Sequence, residues 1–377
     1  MGKDVFIVAD NIISPVGNTS ADNFSNLSIG ISGIRRHSDE KLSPQPVYAS
    51  LIADKTFFPG NTSITKFESL LLASVKDALA NADINADDKR TVLIVSSTKG
   101  NISLIEENEL SEGIQSRVAL SSSAKIIAEH FNFVSEPIVV SHACISGLVA
   151  IITGMRLLQA DRFDHAVITG ADVITKFILS GFQSFQAISA EPCKPFDAAR
   201  NGITLGEGAA TIILSVNKPG GTSIKICGGA VSNDANHISG PSRTGEELYQ
   251  AIQEALKESG LNKNDIDFIS AHGTATMYND EMEAKALNLA GMNHVPLNSL
   301  KGYYGHTLGA AGLIETVISA HSLKENVVLP TPGYKDPGTS KPVNVVSGPI
   351  KMKVKTCLKT ASGFGGCNAA IILQKTD

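Results

Sequence analysis

The 377-residue chain is 42% hydrophobic and 18% charged, with 33 glycines and a net charge of -5. That length buries a large core and admits two compact halves, while the weak acidity excludes a global electrostatic pull toward nucleic acid or an anionic membrane surface. Five cysteines, at 144, 193, 227, 357 and 367, form no CxxC pair and no even framework, which points to reduced thiols and a cytoplasmic setting.

The opening MGKDVFIVADNIISPVG has only the five-residue apolar run VFIVA before Asp10, and Phe6 stands where a myristoylation signal needs Ser or Thr. Neither a secretory leader nor a lipid anchor is expected from it. The stretch most like a membrane span, SEPIVVSHACISGLVAIITGMRLL, is interrupted by Ser141, His142 and Ser146. It reads as a buried strand followed by a buried helix, and no membrane insertion is expected.

In chain order the pattern predicts strands at 5–9, 92–97, 137–141, 165–170 and 209–216, with helical stretches at 65–82, 118–131 and 145–160 between them. The second half repeats the theme. EELYQAIQEALKESG predicts a helix over 246–260 stopped by Gly260, strands fall at 267–271, 295–299 and 369–374, and AAGLIETVISAHSLKEN predicts a further helix. Apolar strands alternating with helices argue an α/β sheet covered on both faces.

A faint internal repeat supports two related halves. GEGAATIILSV (206–216) is similar to GFGGCNAAIILQK (363–375), and SVKDALANADINADDKRTVLIVSS (74–97) to AIQEALKESGLNKNDIDFISA (251–271). The strand, loop and helix around Cys144 have a counterpart in VPLNSLKGYYGHTLGAAGLIETVI. Three matches in the same order favour duplication over chance likeness. Pro219–Gly220–Gly221 is the best boundary, giving halves 1–218 and 219–377 and a cleft at their seam formed by loops at strand ends.

Three such loops carry reactive groups. Cys144 follows an apolar strand and begins a helix, where the dipole and unpaired N–H groups favour a thiolate; the alternative is a buried structural thiol. In AHGTATMYND, His272 ends a strand, Thr274 and Thr276 alternate along an extended loop, and Asp280 can hold that loop. The alternative for His272 is an imidazole satisfied by a carbonyl. In NSLKGYYGHTLGAAGLIE, Lys301 and His306 sit in a glycine-punctuated loop, with Glu315 on the following helix. Its spacing matches neither GxxxxGK[ST] nor GxGxxG, which argues against a nucleotide cradle. A metal pair at His142 and Cys144 needs two further ligands that no nearby spacing supplies. Together the loops point to a thiol active site.

These loops resemble those of the β-ketoacyl-acyl-carrier-protein synthases of the thiolase superfamily, and the resemblance spans nearly the whole chain. IISPVGNT with GISGI is similar to the family's opening, KPFDAARNGITLGEGAA to its PFD-x-x-R-x-G-x-x-x-GEGA motif, and GFGGCN to its closing glycine loop. The resemblance implies a duplicated α-β-α-β-α thiolase-like fold with two pseudo-twofold-related halves. It implies that Cys144 accepts an acyl group, that His272 and His306 complete a Cys-His-His set, and that the Lys301 charge disfavours the imidazolium. Backbone N–H groups of Cys144 and Phe364 would form the oxyanion hole, Asp280 and Glu315 would support the site, and Thr274 and Thr276 would contact phosphopantetheine. No metal or dissociable cofactor is implied, the substrate being carried on the phosphopantetheine of acyl carrier protein. The implied partners are that carrier protein, through a Lys/Arg patch at the tunnel mouth, and a second subunit in a homodimer or a heterodimer with another ketosynthase-like chain.

The chain departs from the family pattern at several points. His142 and Ile145 flank the cysteine where smaller residues are usual, Ser362 stands where elongating members carry a bulky gating aromatic, and the chain is shorter around 98–135 and 184–194. The rivals to a condensing enzyme are a non-condensing partner subunit and a hydrolase or thiolase. For the latter, Cys367 would be the second thiol, but it follows the glycines and is expected not to reach the site.

Overall fold

The computed structural model describes residues 3–53, 64–235 and 240–377. Its first half contributes strands β1 (Phe6–Ile13), β2 (Thr91–Ser96), β3 (Ile138–Val140), β4 (His165–Asp172) and β5 (Gly208–Ser215). The second contributes β6 (Ser223–Asn233), β7 (Phe268–Ser270), β8 (Leu297–Asn298), β9 (Thr356–Gly363) and β10 (Cys367–Thr376). The main helices are α1 (Lys66–Ala80), α2 (Leu120–His130), α3 (Ser146–Gln159), α4 (Lys176–Ser184), α5 (Glu246–Ser259), α6 (Met277–Leu289) and α7 (Ala311–Glu325).

The hydrogen-bonded strand order is β8-β7-β9-β10-β6-β1-β5-β4-β2-β3. Read outward from its centre, each half has the same order and the same directions. β2 pairs in parallel with β3 and β4, and β5 pairs antiparallel with β4 and β1. β7 pairs in parallel with β8 and β9, and β10 pairs antiparallel with β9 and β6. The halves join where β1 meets β6, at Phe6–Lys225 and Ile7–Ile224. The fold is thus a duplicated unit whose strands form one continuous ladder.

Side-chain alternation along the strands builds five layers. In β2, Ile94 faces a central cluster, while Leu93 and Val95 face Phe67, Leu70 and Leu71 of α1. In β10, Ile371 and Leu373 face the same centre, while Ala370 and Ile372 face Leu248 and Ile252 of α5. Helices α3 and α7 fill the space between the two half-sheets, so α7 is enclosed nearly all round, as a helix apolar on every side requires. Two of its polar side chains bond within the helix, Thr316 to the Gly312 carbonyl and Ser319 to the Glu315 carbonyl.

Local signals set the helix ends. Thr65 and Glu68 form a capping box at α1, Gly260 ends α5 with φ +70, and Asn326 ends α7 in the left-handed region. The sequence pattern did not indicate α4 or α6. Residues 276–280, read as extended loop, are instead the cap and first turn of α6, with the Thr276 hydroxyl accepting from Asn279 N–H.

The two central helices meet backbone to backbone at glycines. A Cβ on Gly147 would lie 2.8 Å from the Leu313 nitrogen, and one on Gly312 would lie 2.7 Å from the Leu148 nitrogen. Neither neighbour is a flexible tip that can swing aside. Gly147→Ala is therefore expected to overpack this crossing and cost about 1–3 kcal/mol, read as a lower urea midpoint at unchanged slope.

Candidate active site

The crossing of α3 and α7 brings the starts of both helices to one end of the central layer. Cys144 directly precedes α3, in a turn where Ile145 N–H donates to the His142 carbonyl and Ser146 N–H to that of Ala143. Ala143 has φ +45, a conformation rare for a residue with a Cβ. His306 precedes α7. Its loop is clamped by the GEGAA segment, since His306 N–H donates to the Thr204 carbonyl and Gly206 N–H to that of His306. Only a glycine fits at 206, because a Cβ there would overlap the Tyr304 carbonyl oxygen at 1.9 Å. His272 lies just beyond β7. The Glu283 carboxylate accepts the N–H groups of His272 and Gly273 at 2.8 Å each, fixing that strand end.

A cavity of about 450 Å³ joins these loops, lined by Cys144, His272, Thr274, Thr276, His306, Ser362 and Phe364 among others. The two imidazoles lie edge to face, with ring centroids 5.1 Å apart. Thr274 and Thr276 share a hydroxyl–hydroxyl hydrogen bond of 2.9 Å. Asp280 stands behind the wall and accepts N–H groups from Thr274, Ala275 and Phe196. Burial pushes its carboxyl up to about 7, against those donors and the nearby Arg200. The β9–β10 hairpin closes one side. Gly363 packs tightly here, since a Cβ would sit 3.0 Å from both the Cys144 nitrogen and the Cys367 sulfur.

The site residues named from the sequence all lie at this cavity or directly behind it. Lys301 is fully buried and bonds Glu315 Oε1 at 2.5 Å. Burial and the Lys301 charge, with further contributions from Lys359, hold both imidazoles well below the ordinary value of 6.5. Both rings are therefore neutral at physiological pH.

The expected thiolate is not what the surroundings favour. Burial pushes the Cys144 thiol up to about 12, and the neighbouring Cys367 adds to this. The Lys301 charge and the Phe364 N–H, which donates to the sulfur, pull the other way without overcoming it. Burial, which the helix-start argument leaves out, decides the direction.

Cys367 is also closer than expected. Its thiol contacts the Phe364 and His142 carbonyls at 3.3 and 3.9 Å, beside the Cys144 turn, although it is not on the cavity wall. Ser362 donates to Asn368 across the hairpin at 2.7 Å. The aromatic surface beside it comes from Phe364, stacked on Phe182 at 5.6 Å and edge-on to Phe185 at 5.5 Å. Among the positions where the chain looked short, 98–135 contributes nothing to the cavity, whereas Phe185, Gln186 and Ala187 line it. Among the described residues the lining contains no Lys or Arg. The exposed Lys176 and Arg243 lie close in sequence to lining residues Phe182 and Ser242.

Sequence reasoning missed three buried groups. Asp172 accepts from Ser97, Thr98, Lys99 and Gly309, tying the end of β4 to the turn before α7. Glu283 and Lys359 are the others. Period-2 alternation in β9 places Lys359 on the same face as the core residues Cys357 and Ala361, a signal that was available. Among the described residues no His, Cys, Asp and Glu group is arranged to hold a metal, and no helix is long and apolar enough to cross a membrane.

Comparison with known proteins agrees with this geometry. Residues 2–218 match the family model "Beta-ketoacyl synthase, N-terminal domain" and residues 224–335 match "Beta-ketoacyl synthase, C-terminal domain". The chain belongs to the beta-ketoacyl synthase family. It is 34% identical to 3-oxoacyl-[acyl-carrier-protein] synthase 2 of Rhizobium meliloti over 62% of this chain and 59% of that one. It is 26% identical to the enzyme of the same name from Coxiella burnetii over 99% of both. Among solved structures, the ishigamide ketosynthase/chain length factor superposes with a TM-score of 0.90 at 23% identity, covering all of both chains. The ketosynthase ApeO in complex with its chain length factor ApeC from Xenorhabdus doucetiae gives 0.88 at 25%, over 99% of this chain and 98% of that one.

The Cys144 surroundings give a direct test. Its alkylation by iodoacetamide is expected to be slow at neutral pH and to rise with no plateau below about pH 10. Lys301→Met should slow it further by removing a nearby cation, as followed by mass spectrometry of the Cys144 peptide. A plateau near pH 8 would contradict the assignment.

Proposed function

We propose that the chain is a 3-oxoacyl-acyl-carrier-protein synthase that elongates an acyl chain held on Cys144. The single observation that carries this is the convergence of one thiol and two neutral imidazoles, from both halves of a duplicated fold, on one cavity. The halves are taken as 1–218 and 219–377.

In the first step Cys144 attacks the thioester carbonyl of an acyl group on carrier protein. The thiol begins protonated, and a neutral imidazole on the same cavity is the available base. The carrier thiol departs with a proton, leaving an acyl-Cys144 thioester. The N–H groups of Cys144 and Phe364 face the developing oxyanion, and each such donor is worth about 3 kcal/mol of barrier. In the second step a malonyl thioester loses CO2. The electron pair of the broken carbon–carbon bond passes into an enolate, whose oxygen takes hydrogen bonds from the His272 and His306 rings. The enolate carbon attacks the acyl-Cys144 carbonyl, the sulfur leaves and takes a proton from solvent, and a 3-oxoacyl thioester longer by two carbons results. Only neutral rings perform this role well. An imidazolium has lost the basicity needed in the first step, and burial makes its charge costly.

Thr274 and Thr276, at the cavity wall, are placed to bond the amides of a phosphopantetheine arm. Asp280 and Glu315 act behind them as supports. Carrier protein is the partner, and the exposed Lys176 and Arg243, close in sequence to lining residues, are the cationic contacts offered for its acidic surface. A paired subunit and a cytoplasmic setting complete the reading. A second reading, a ketosynthase-like subunit that shapes the tunnel of an active partner, is favoured by the ketosynthase and chain length factor assemblies among the structural neighbours.

Incubation with acyl-carrier protein is expected to add the acyl mass to Cys144, and malonyl-carrier protein should then release the elongated product. Cys144→Ala should abolish the adduct. Absence of any adduct in the wild-type protein, alone and with a co-expressed ketosynthase, would turn the assignment to the partner-subunit reading. Ser362→Phe is expected to shorten the longest acyl chain accepted, because it adds an aromatic ring to a wall where the hydroxyl now bonds Asn368.

A further inference from the structure

Two carboxylates stand behind the imidazoles. Glu315 projects from α7, and Glu283 from α6 accepts the His272 N–H. Two buried carboxylates with one lysine between them would leave a net negative charge facing both rings, and negative charge favours the imidazolium. Lys301 balances one of them. The other balancing cation is Lys359, fully buried on the central face of β9.

Burial lowers the Lys359 ammonium from its ordinary value, as does the Lys301 charge, while Glu315 and Glu283 hold it up, and its contacts fix its place. Its Nζ lies 2.7 Å from Glu315 Oε2, while Lys301 holds the other oxygen of the same carboxylate. It also donates to the carbonyls of Thr360 at 2.7 Å and of Ser270 and Ala271 at 3.2 Å each. Three carbonyl acceptors and a carboxylate suit an ammonium with three donors, and a neutral amine offers only two. Ser270 ends β7, and Ala271 immediately precedes His272. Thr360, next to Lys359, donates to Glu283 at 2.6 Å, so both carboxylates are tied to the same two residues of β9. With every proton engaged by protein, Lys359 has none to offer a substrate. It acts through others.

We infer that Lys359 is a second positioning lysine of this site: it clamps the strand end that carries His272, shares Glu315 with Lys301, and supplies the cation that balances the second carboxylate behind the two rings. The inference rests on the condensing reading given above. Its consequence is that His272 and His306 stay neutral across the working pH range.

The remaining charged and titratable groups around the rings do not supply this cation. On α6, Asp280 is acidic and faces Arg200 at 4.0 Å. The thiols of Cys144 before α3 and Cys367 on β10 are pushed up by burial to about 12 and about 11 and stay neutral. Tyr304, on the single turn Lys301–Tyr304, is also neutral, with its phenol held well above its ordinary value by burial. Asp172 on β4 is engaged by Ser97 and three N–H groups.

The test uses Lys359→Met and Lys359→Gln in the full-length chain. The first removes the cation and its donors, and the second keeps donors without charge. Both are expected to move the acidic limb of kcat/KM for malonyl-dependent elongation upward by about one pH unit, because an imidazole with less positive charge nearby protonates at higher pH. NMR titration of the imidazole carbons of His272 and His306 should show the same upward movement. A profile that only loses height at every pH, or does not change, would overturn the inference and leave Lys359 a structural residue. If neither variant accumulates folded, the wild-type titration still allows the inference to be overturned. Both rings should remain neutral down to acid unfolding, and a ring that protonates near 6.5 overturns the proposal. If the wild-type chain forms no elongated product, the condensing reading fails, and the imidazole titration still decides the role of Lys359.

Discussion

The site depends on how closely α3 and α7 approach. Two helices that touch through Gly147 and Gly312 place their first turns side by side, and the loops leading into those turns carry the thiol and one of the imidazoles. A larger side chain at either position would separate the helix starts, with no compensating movement available, because both helices are packed between half-sheets. The duplication explains why such a contact exists at all. Two copies of one unit, joined at β1 and β6, present equivalent helices to each other across a pseudo-twofold axis. Their N-terminal loops, which differ in sequence, meet on one cavity.

The electrostatics of that cavity follow from its burial. Desolvation acts against every charge, so it raises the thiol and lowers the imidazoles together. The resting site is then almost free of exposed charge, which suits the binding of an acyl chain and a thioester. The ionised groups have been moved one layer back, where Lys301, Lys359, Glu315 and Glu283 satisfy one another and the backbone. A buried cluster of this kind adds little net stability, and removing one member is costly because its partners are left unpaired.

Much of this was legible in the sequence. The α/β alternation, the repeat and the reactive loops could be read because each loop lies where a short apolar strand gives way to glycine and then a helix. What could not be read depends on distant packing. Alternation in β9 aligns Lys359 with the core residues Cys357 and Ala361, but the exposed Lys353 and Lys355 fall in the same register, so the pattern alone does not separate a buried lysine from a solvated one. The burial of Lys359 arises only because α7 covers the end of β9. The direction of the Cys144 shift was hidden for the same reason: a helix start is local and visible, but enclosure is not. Helix α6 was missed because its polar and apolar residues are mixed, one side meeting the α5 layer and the other holding Asp280 and Glu283 against the loop of His272.

Phe364 joins two tasks in a single residue. Its ring belongs to the aromatic group with Phe182 and Phe185, and its amide points at the sulfur. Gly365 and Gly366, both with positive φ, follow it and allow the hairpin tip to adopt this shape. Exchanging the ring for another side chain alters the wall and spares the amide. Any rearrangement of the main chain at that tip displaces both, so on the proposed reading admission of a bulky acyl group and stabilisation of its carbonyl would be mechanically linked.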